Sequence, residues 1–202
     1  VCERRSQHRP RFTHMEVTTM TENDRIALFK DEMDCCFPQL LPLGIEDKLK
    51  EMGFFSAPAS IRHHGTYSGA LFDHSLKVME ALLDLTEKLG LKWERPESPY
   101  IVGMFHDLCK VDNYHYNSQL GVEEWEYNNA TLLPGHGEKS VILLQQIIER
   151  PLTEEELLCI RWHMGAFDDK ENWNSYGRSV TKYPNVLFTH TADMIAARVL
   201  QV

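Results

Sequence analysis

Asp193 stands within Leu187-Phe188-Thr189-His190-Thr191-Ala192-Asp193-Met194-Ile195-Ala196-Ala197, a stretch whose other members are mostly apolar or small. A carboxylate among such neighbours needs a cation or hydrogen-bond donors, because burying it unpaired is costly. Asp107 poses the same problem behind Met104-Phe105-His106. Two such aspartates, together with His74 and His106, drawn from three helical segments, are the nitrogen and oxygen donors that a divalent metal takes. Any one histidine on a helix is more often a core or surface residue than a ligand, so it is the combination that counts. The chain has ten histidines. His8, His14 and His63 have no suggestive neighbours, whereas the others recur beside Asp, Gly or Lys at helix ends.

Helices must carry these groups. Thr21 is placed to cap a helix running through Ile26, Leu28, Phe29 and Met33, with Glu22 and Asp24 in its first turn. A short helix follows over Ile45 to Met52, ending at Gly53. From Gly69 to Leu89 the apolar residues Leu71, Leu76, Val78, Met79, Leu82, Leu83 and Leu85 keep helical spacing up to Gly90, which puts His74 in the first turns. Ser98-Pro99 reads as N-cap and first residue of a helix through Phe105, apolar nearly all round and therefore buried, with His106 and Asp107 near its end. Residues 111 to 130 switch to alternating Tyr114, Tyr116, Trp125 and Tyr127 about Gly121, the pattern of a β-hairpin. Gly135 to Glu149 is the next helix, with His136 at its start. A capping box of Thr153 and Glu156 then opens a helix that ends at His163 and Gly165. Residues 166 to 183 are polar with scattered aromatics and read as a long loop, after which Pro184 starts a final helix with Asp193 in its middle. Residues 1 to 19, with Arg4, Arg5, Arg9 and Arg11 and no apolar period, read as a disordered tail ahead of a single domain over residues 20 to 202.

The 202 residues, 43% of them apolar, suffice for one ordinary core. A formal charge of −9 argues against a broad basic surface for duplex nucleic acid. Cys2, Cys35, Cys36, Cys109 and Cys159 are odd in number and lack CxxC spacing, so neither a disulfide framework nor a thiolate zinc site is expected. With no membrane-spanning run and no secretory apolar stretch, a cytoplasmic protein is expected.

In order, His74, His106-Asp107 and Asp193 resemble the H…HD…D signature of the HD phosphohydrolase superfamily. Tyr67-Ser68-Gly69-Ala70-Leu71-Phe72-Asp73-His74-Ser75 is similar to that family's Gly-rich approach to its first ligand. His106-Asp107-Leu108-Cys109-Lys110 is similar to its HD-x-x-K form, with Cys109 where Gly is frequent. The resemblance spans about residues 60 to 200 and implies an all-α HD-type helical bundle with the hairpin as a small insertion. It further implies hydrolysis of a phosphoester by metal-activated water, with one or two divalent ions (Mn, Fe, Ni, Co, Zn or Mg) and Asp107 between them. Two-metal members add a histidine after the HD helix and another before the last aspartate, and His136 and His163 stand at those places. The plainer alternative makes His136 a loop residue and His163 a helix cap. Met164 follows His163 where some relatives have a further histidine, so no third metal is expected.

Lys110 is the leading candidate for presenting a cation to the substrate phosphate, against a solvated surface lysine. His64 and Arg161 are weaker phosphate candidates. His190, three residues before Asp193, shares its helix face and either faces substrate or orients a ligand. Trp125, Tyr127, Trp173 and Tyr176 could stack on a nucleobase or merely pack the irregular segments. The expected partner is a small phosphorylated molecule, a nucleotide, cyclic nucleotide or short oligonucleotide by preference. An exonuclease of single-strand ends and a non-catalytic nucleotide-binding module are the alternatives.

Overall fold

The computed structural model describes residues 19–34, 40–62, 65–118, 124–133 and 135–202, so most of the tail expected at the N-terminus, and His64, lie outside the described residues. Helix α1 (Glu22–Asp34) begins as its cap requires: Thr21 Oγ1 accepts from the Asp24 backbone N–H and Thr21 N–H donates to the Asp24 carboxylate. After the short α2 (Ile45–Glu51) comes α3 (Ala70–Leu89), the central element, whose first ten residues are buried all round. Helix α4 (Ser98–Phe105) is buried along its whole length. It lies tight against α3, because Gly103 meets the Met79 backbone so closely that a Cβ there would overlap it. That approach brings the end of α4 beside the first turns of α3.

Ser98 does not cap α4: Glu97 holds the N-cap position, and the buried Ser98 hydroxyl instead donates to Glu156 Oε1 at 2.9 Å. The hydroxyl is drawn to a buried carboxylate on another helix, a pull invisible in the local sequence. A 3-10 turn (Leu108–Asp112) leads from α4 into strand β1 (Tyr114–Asn117), which pairs antiparallel with β2 (Glu124–Tyr127) so that Tyr114 faces Tyr127 and Tyr116 faces Trp125. Helix α5 (Gly137–Ile147) starts with His136 as N-cap, and α6 (Glu154–Arg161) opens on the expected capping box. Gly137 sits against the Arg161 carbonyl, where any Cβ would collide. The start of α5 and the end of α6 therefore meet.

The expected loop after Gly165 is largely helical instead. Two 3-10 turns (Gly165–Phe167 and Lys170–Asn172) precede α7 (Trp173–Lys182). Its apolar stripe is narrow: Tyr176, Val180 and then Tyr183 are half-buried against the core while no residue of the helix is fully buried. So thin a stripe leaves the segment polar on average, which is why it reads as a loop. Helix α8 (Asn185–Met194) continues through a π-helical stretch (Ile195–Leu200), placing Asp193 near the middle of the combined helix.

Phe29, Phe54, Phe55, Phe72 and Phe105 form the aromatic centre of the core, with ring centroids 5.3 to 6.2 Å apart. Each fully buried phenylalanine contributes about 1.5–3 kcal/mol. Among the described residues the architecture is thus an all-α bundle with one two-stranded hairpin. Among the described residues no helix is long and apolar enough to cross a membrane.

Candidate metal centre

Five separate segments deliver six side chains to one place. His74 comes from the first turns of α3, His106 caps the end of α4 and Asp107 follows it, in the bridge-like conformation φ −105°, ψ 19°. His136 heads α5, His163 follows α6 and Asp193 belongs to α8. His106, His163, Asp107 and His74 are buried, while His136 and Asp193 are partly open.

Asp107 is the hub, and its two oxygens face different ways. Oδ2 lies 3.6 Å from His74 Nε2 and 3.5 Å from His106 Nε2. Oδ1 lies 3.3 Å from His163 Nε2 and 3.7 Å from His136 Nε2. Asp193 Oδ1 completes the first side, 3.1 Å from His74 Nε2 and 3.9 Å from His106 Nε2. Two overlapping donor groups result, one of His74, His106 and Asp107 and one of Asp107, His136 and His163, and either could hold a metal ion.

The outer nitrogens show how the rings are held. His74 Nδ1 is 2.8 Å from the Val202 carbonyl, His106 Nδ1 2.9 Å from that of Gly103, and His163 Nδ1 2.7 Å from that of Ile160. A carbonyl only accepts, so Nδ1 carries the proton, and in a neutral ring Nε2 is left as a lone pair aimed inward. This is the tautomer a metal needs. His136 differs, its Nδ1 lying 2.8 Å from Cys109 Sγ. Cys109 is the participant the sequence did not disclose; only its position two residues after Asp107 hinted at it. Its backbone N–H also donates to Ser140 Oγ, tying the turn after Asp107 to α5.

Charge is arranged to match. Burial works against an ionised Asp107, but Lys110 and His106 outweigh it and hold the carboxyl well below the usual range. Asp193 is likewise kept low, against burial, chiefly by His74. Burial depresses His106, and takes His136 down to about 4. At His163 burial pulls the same way, yet the Asp107 carboxylate prevails and raises it.

A divalent cation fits these residues. His106 Nε2, His163 Nε2 and Asp107 Oδ1 are buried and none makes a hydrogen bond among the described residues. Each such orphan costs about 1–3 kcal/mol, which a shared cation would offset.

The other candidates divide. Lys110 Nζ lies 2.6 Å from Asp107 Oδ2 with its side chain 16% exposed, inside the site and open to one side. His190 donates through Nδ1 to the His163 carbonyl at 2.7 Å, so it braces His163. The Arg161 guanidinium pairs with Glu138 and Asp168 and lies over the Trp162 ring at 3.9 Å. Those carboxylates, 23 residues before and seven after it, absorb the charge that the sequence offers to a phosphate.

Comparison with curated proteins and with solved structures found no match to the chain. The HD domain family model, in contrast, matches residues 71–197, an interval that contains all six of these side chains. With more than half its length matched, the chain belongs to the HD domain family, within the HD metal-dependent phosphohydrolase superfamily.

Proposed function

We propose that the protein hydrolyses a small phosphorylated substrate, a phosphomonoester or phosphodiester, with a nucleotide, cyclic nucleotide or short oligonucleotide as the favoured class. Asp107 carries this reading, since one carboxylate with its two oxygens turned to two different pairs of imidazoles is the donor arrangement of a two-ion hydrolytic centre. His74, His106, Asp193 and Asp107 would hold one divalent ion, and His136, His163 and Asp107 the other. When bound, such ions supply a water acidic enough to attack near neutral pH and polarise the phosphoryl oxygen.

The chain's own groups do the rest. Backbone carbonyls lock three of the rings with Nε2 inward, so no reorganisation is needed before ligands are engaged. Lys110 has three N–H donors and uses one on Asp107, so it can give others to a phosphate oxygen on the open side. Access is by the edge where His136 and Asp193 are partly exposed, while buried His106 and His163 keep bulk water from the far side.

The test is turnover of bis-p-nitrophenyl phosphate with Mn²⁺, Ni²⁺ or Co²⁺, for the unaltered chain and for Asp107→Ala. Hydrolysis should fall to background in the variant while far-UV circular dichroism keeps its helical signal. A variant that retains most of its activity refutes the assignment. An unaltered chain that takes up metal and binds nucleotides yet turns over none is a binding module instead.

A further inference from the structure

The four imidazoles of the centre are not held alike. His74, His106 and His163 each meet a backbone carbonyl at Nδ1, and a carbonyl only accepts, so the proton is pinned to the outer nitrogen. His136 meets the Cys109 thiol instead, with Nδ1 2.8 Å from Sγ. Sulfur is a weak acceptor and S–H a weak donor, so either partner is able to supply the proton. The choice decides what the inner nitrogen does. With the proton on Nδ1 and donated to Sγ, Nε2 presents a lone pair to a cation. With the thiol donating to Nδ1, the neutral ring keeps its proton on Nε2, turns it toward Asp107 Oδ1 3.7 Å away, and is no metal ligand.

Cys109 is built into this position. Its side chain is fully buried and its backbone N–H donates to Ser140 Oγ of α5 at 3.0 Å. Beside Ser140, the buried Lys139 donates through Nζ to Asn113 Oδ1 at 3.0 Å, just past the end of the 3-10 turn that carries Cys109. His136 is the N-cap of the same α5, so thiol and ring sit on two segments fastened together beyond their own contact. Across from the ring, Asp107 Oδ1 and His163 Nε2 are buried and make no hydrogen bond among the described residues, two donors of a group in which His136 is the third. His136 is also the most open of the four rings, its side chain 33% exposed against 5% or less for the others. Packing therefore aims it least, and the sulfur contact takes on that task.

We propose that Cys109 is a positioning residue of the centre: its sulfur accepts from His136 Nδ1–H, which leaves Nε2 free for the ion shared with His163 and Asp107. The ion rests on the two-ion reading above; the hold of the thiol on the ring does not. The partner of a ligand imidazole fixes its tautomer and raises its basicity, and losing such a partner costs about 10–100-fold in metal affinity. Sulfur accepts more weakly than a carbonyl oxygen, so the ion on this side is the more weakly held of the two.

Long-range proton–nitrogen correlation spectra of the metal-free full chain, labelled with ¹⁵N in histidine, report which ring nitrogen carries the proton. His136, assigned by the signals that vanish in His136→Ala, should show Nδ1–H in the unaltered chain. In Cys109→Ala it should switch to Nε2–H, directed at the Asp107 carboxylate, and Cys109→Ser, which keeps an acceptor, should restore Nδ1–H. Calorimetric titration with Mn²⁺ should give two ions of unequal affinity, the weaker falling about 10–100-fold in Cys109→Ala and the tighter unchanged. A thiol that only filled space would leave the tautomer alone. An Nε2–H ring in the unaltered chain, or a weaker ion whose affinity survives Cys109→Ala, overturns the proposal, and the first of these requires no variant to fold. A single ion in the unaltered chain, with the tautomer still switching in Cys109→Ala, sinks the two-ion reading and leaves the hold of the thiol on His136 standing.

Discussion

His136→Ala/His163→Ala tests how many ions the centre holds. The two rings face Asp107 Oδ1, whereas His74, His106 and the Asp193 carboxylate lie around the other side, so the double substitution empties one donor group and leaves the other whole. Elemental analysis of saturated protein should give about two metals per chain for the unaltered form and about one for the variant. Stability provides a second readout. An ion at a hundred times its Kd stabilises the folded state by about 2.7 kcal/mol, so two sites together contribute about 5 kcal/mol. For a chain of this size each kcal/mol moves Tm by about 2–4 °C, which makes the metal-induced rise about 10–20 °C for two sites and about half that for one. Each protein is compared with its own metal-free form, so any change in the intrinsic stability of the variant drops out. Differential scanning fluorimetry across a Mn²⁺ titration measures it. If the variant binds as many ions and shows the full rise, His136 and His163 are structural and the division of Asp107 between two groups is wrong.

Two further substitutions probe the frame around the centre. Arg25 is buried and forks onto Asp73, the residue before His74, with Nε 2.9 Å from Oδ1 and Nη2 2.7 Å from Oδ2. Arg25→Ala should cost about 3–5 kcal/mol by denaturant unfolding, since it strands a buried carboxylate, and Asp73→Asn should recover part of that loss. A cost below about 1 kcal/mol would show that the pair contributes no more than a surface ion pair. Glu156 is fully buried and accepts hydrogen bonds from Nη1 and Nη2 of Arg150, the Thr153 N–H and the Ser98 hydroxyl. Burial opposes its ionisation, yet these partners win and hold its carboxyl below the ordinary value of 4.5. The unfolded chain therefore binds the proton more readily, so the contribution is complete above that value and drains away as pH falls through the lower folded one. Glu156→Gln should cost about 2 kcal/mol near pH 7, and the gap should narrow below pH 4.5 as the unaltered protein loses the same charge. A gap that stays constant down to acid unfolding contradicts the assignment.

Much of this protein is written locally. Helices α3 and α4, the caps at Thr21 and Thr153 and the hairpin follow from periodicity and turn chemistry, because those depend on residues within a few positions of one another. The order His74, His106-Asp107, Asp193 identifies the family for a related reason: the types of the donors, and the helices that carry them, are properties of the chain itself. What the tertiary structure decided is where charges and faces go once distant segments meet. Ser98 gives its hydroxyl to Glu156, 58 residues away, and Arg161 is drawn to Glu138 and Asp168. Helix α7 forms because the core takes its thin stripe of Tyr176 and Val180, against a composition that reads as loop. The two sides of Asp107 exist only because Gly103 lets α4 close on α3 and Gly137 lets α5 close on α6, bringing His74 beside His106 and His136 beside His163. A sequence names the donors, but which oxygen of a carboxylate faces which ring depends on helix separations set by such close approaches, and these emerge only on packing.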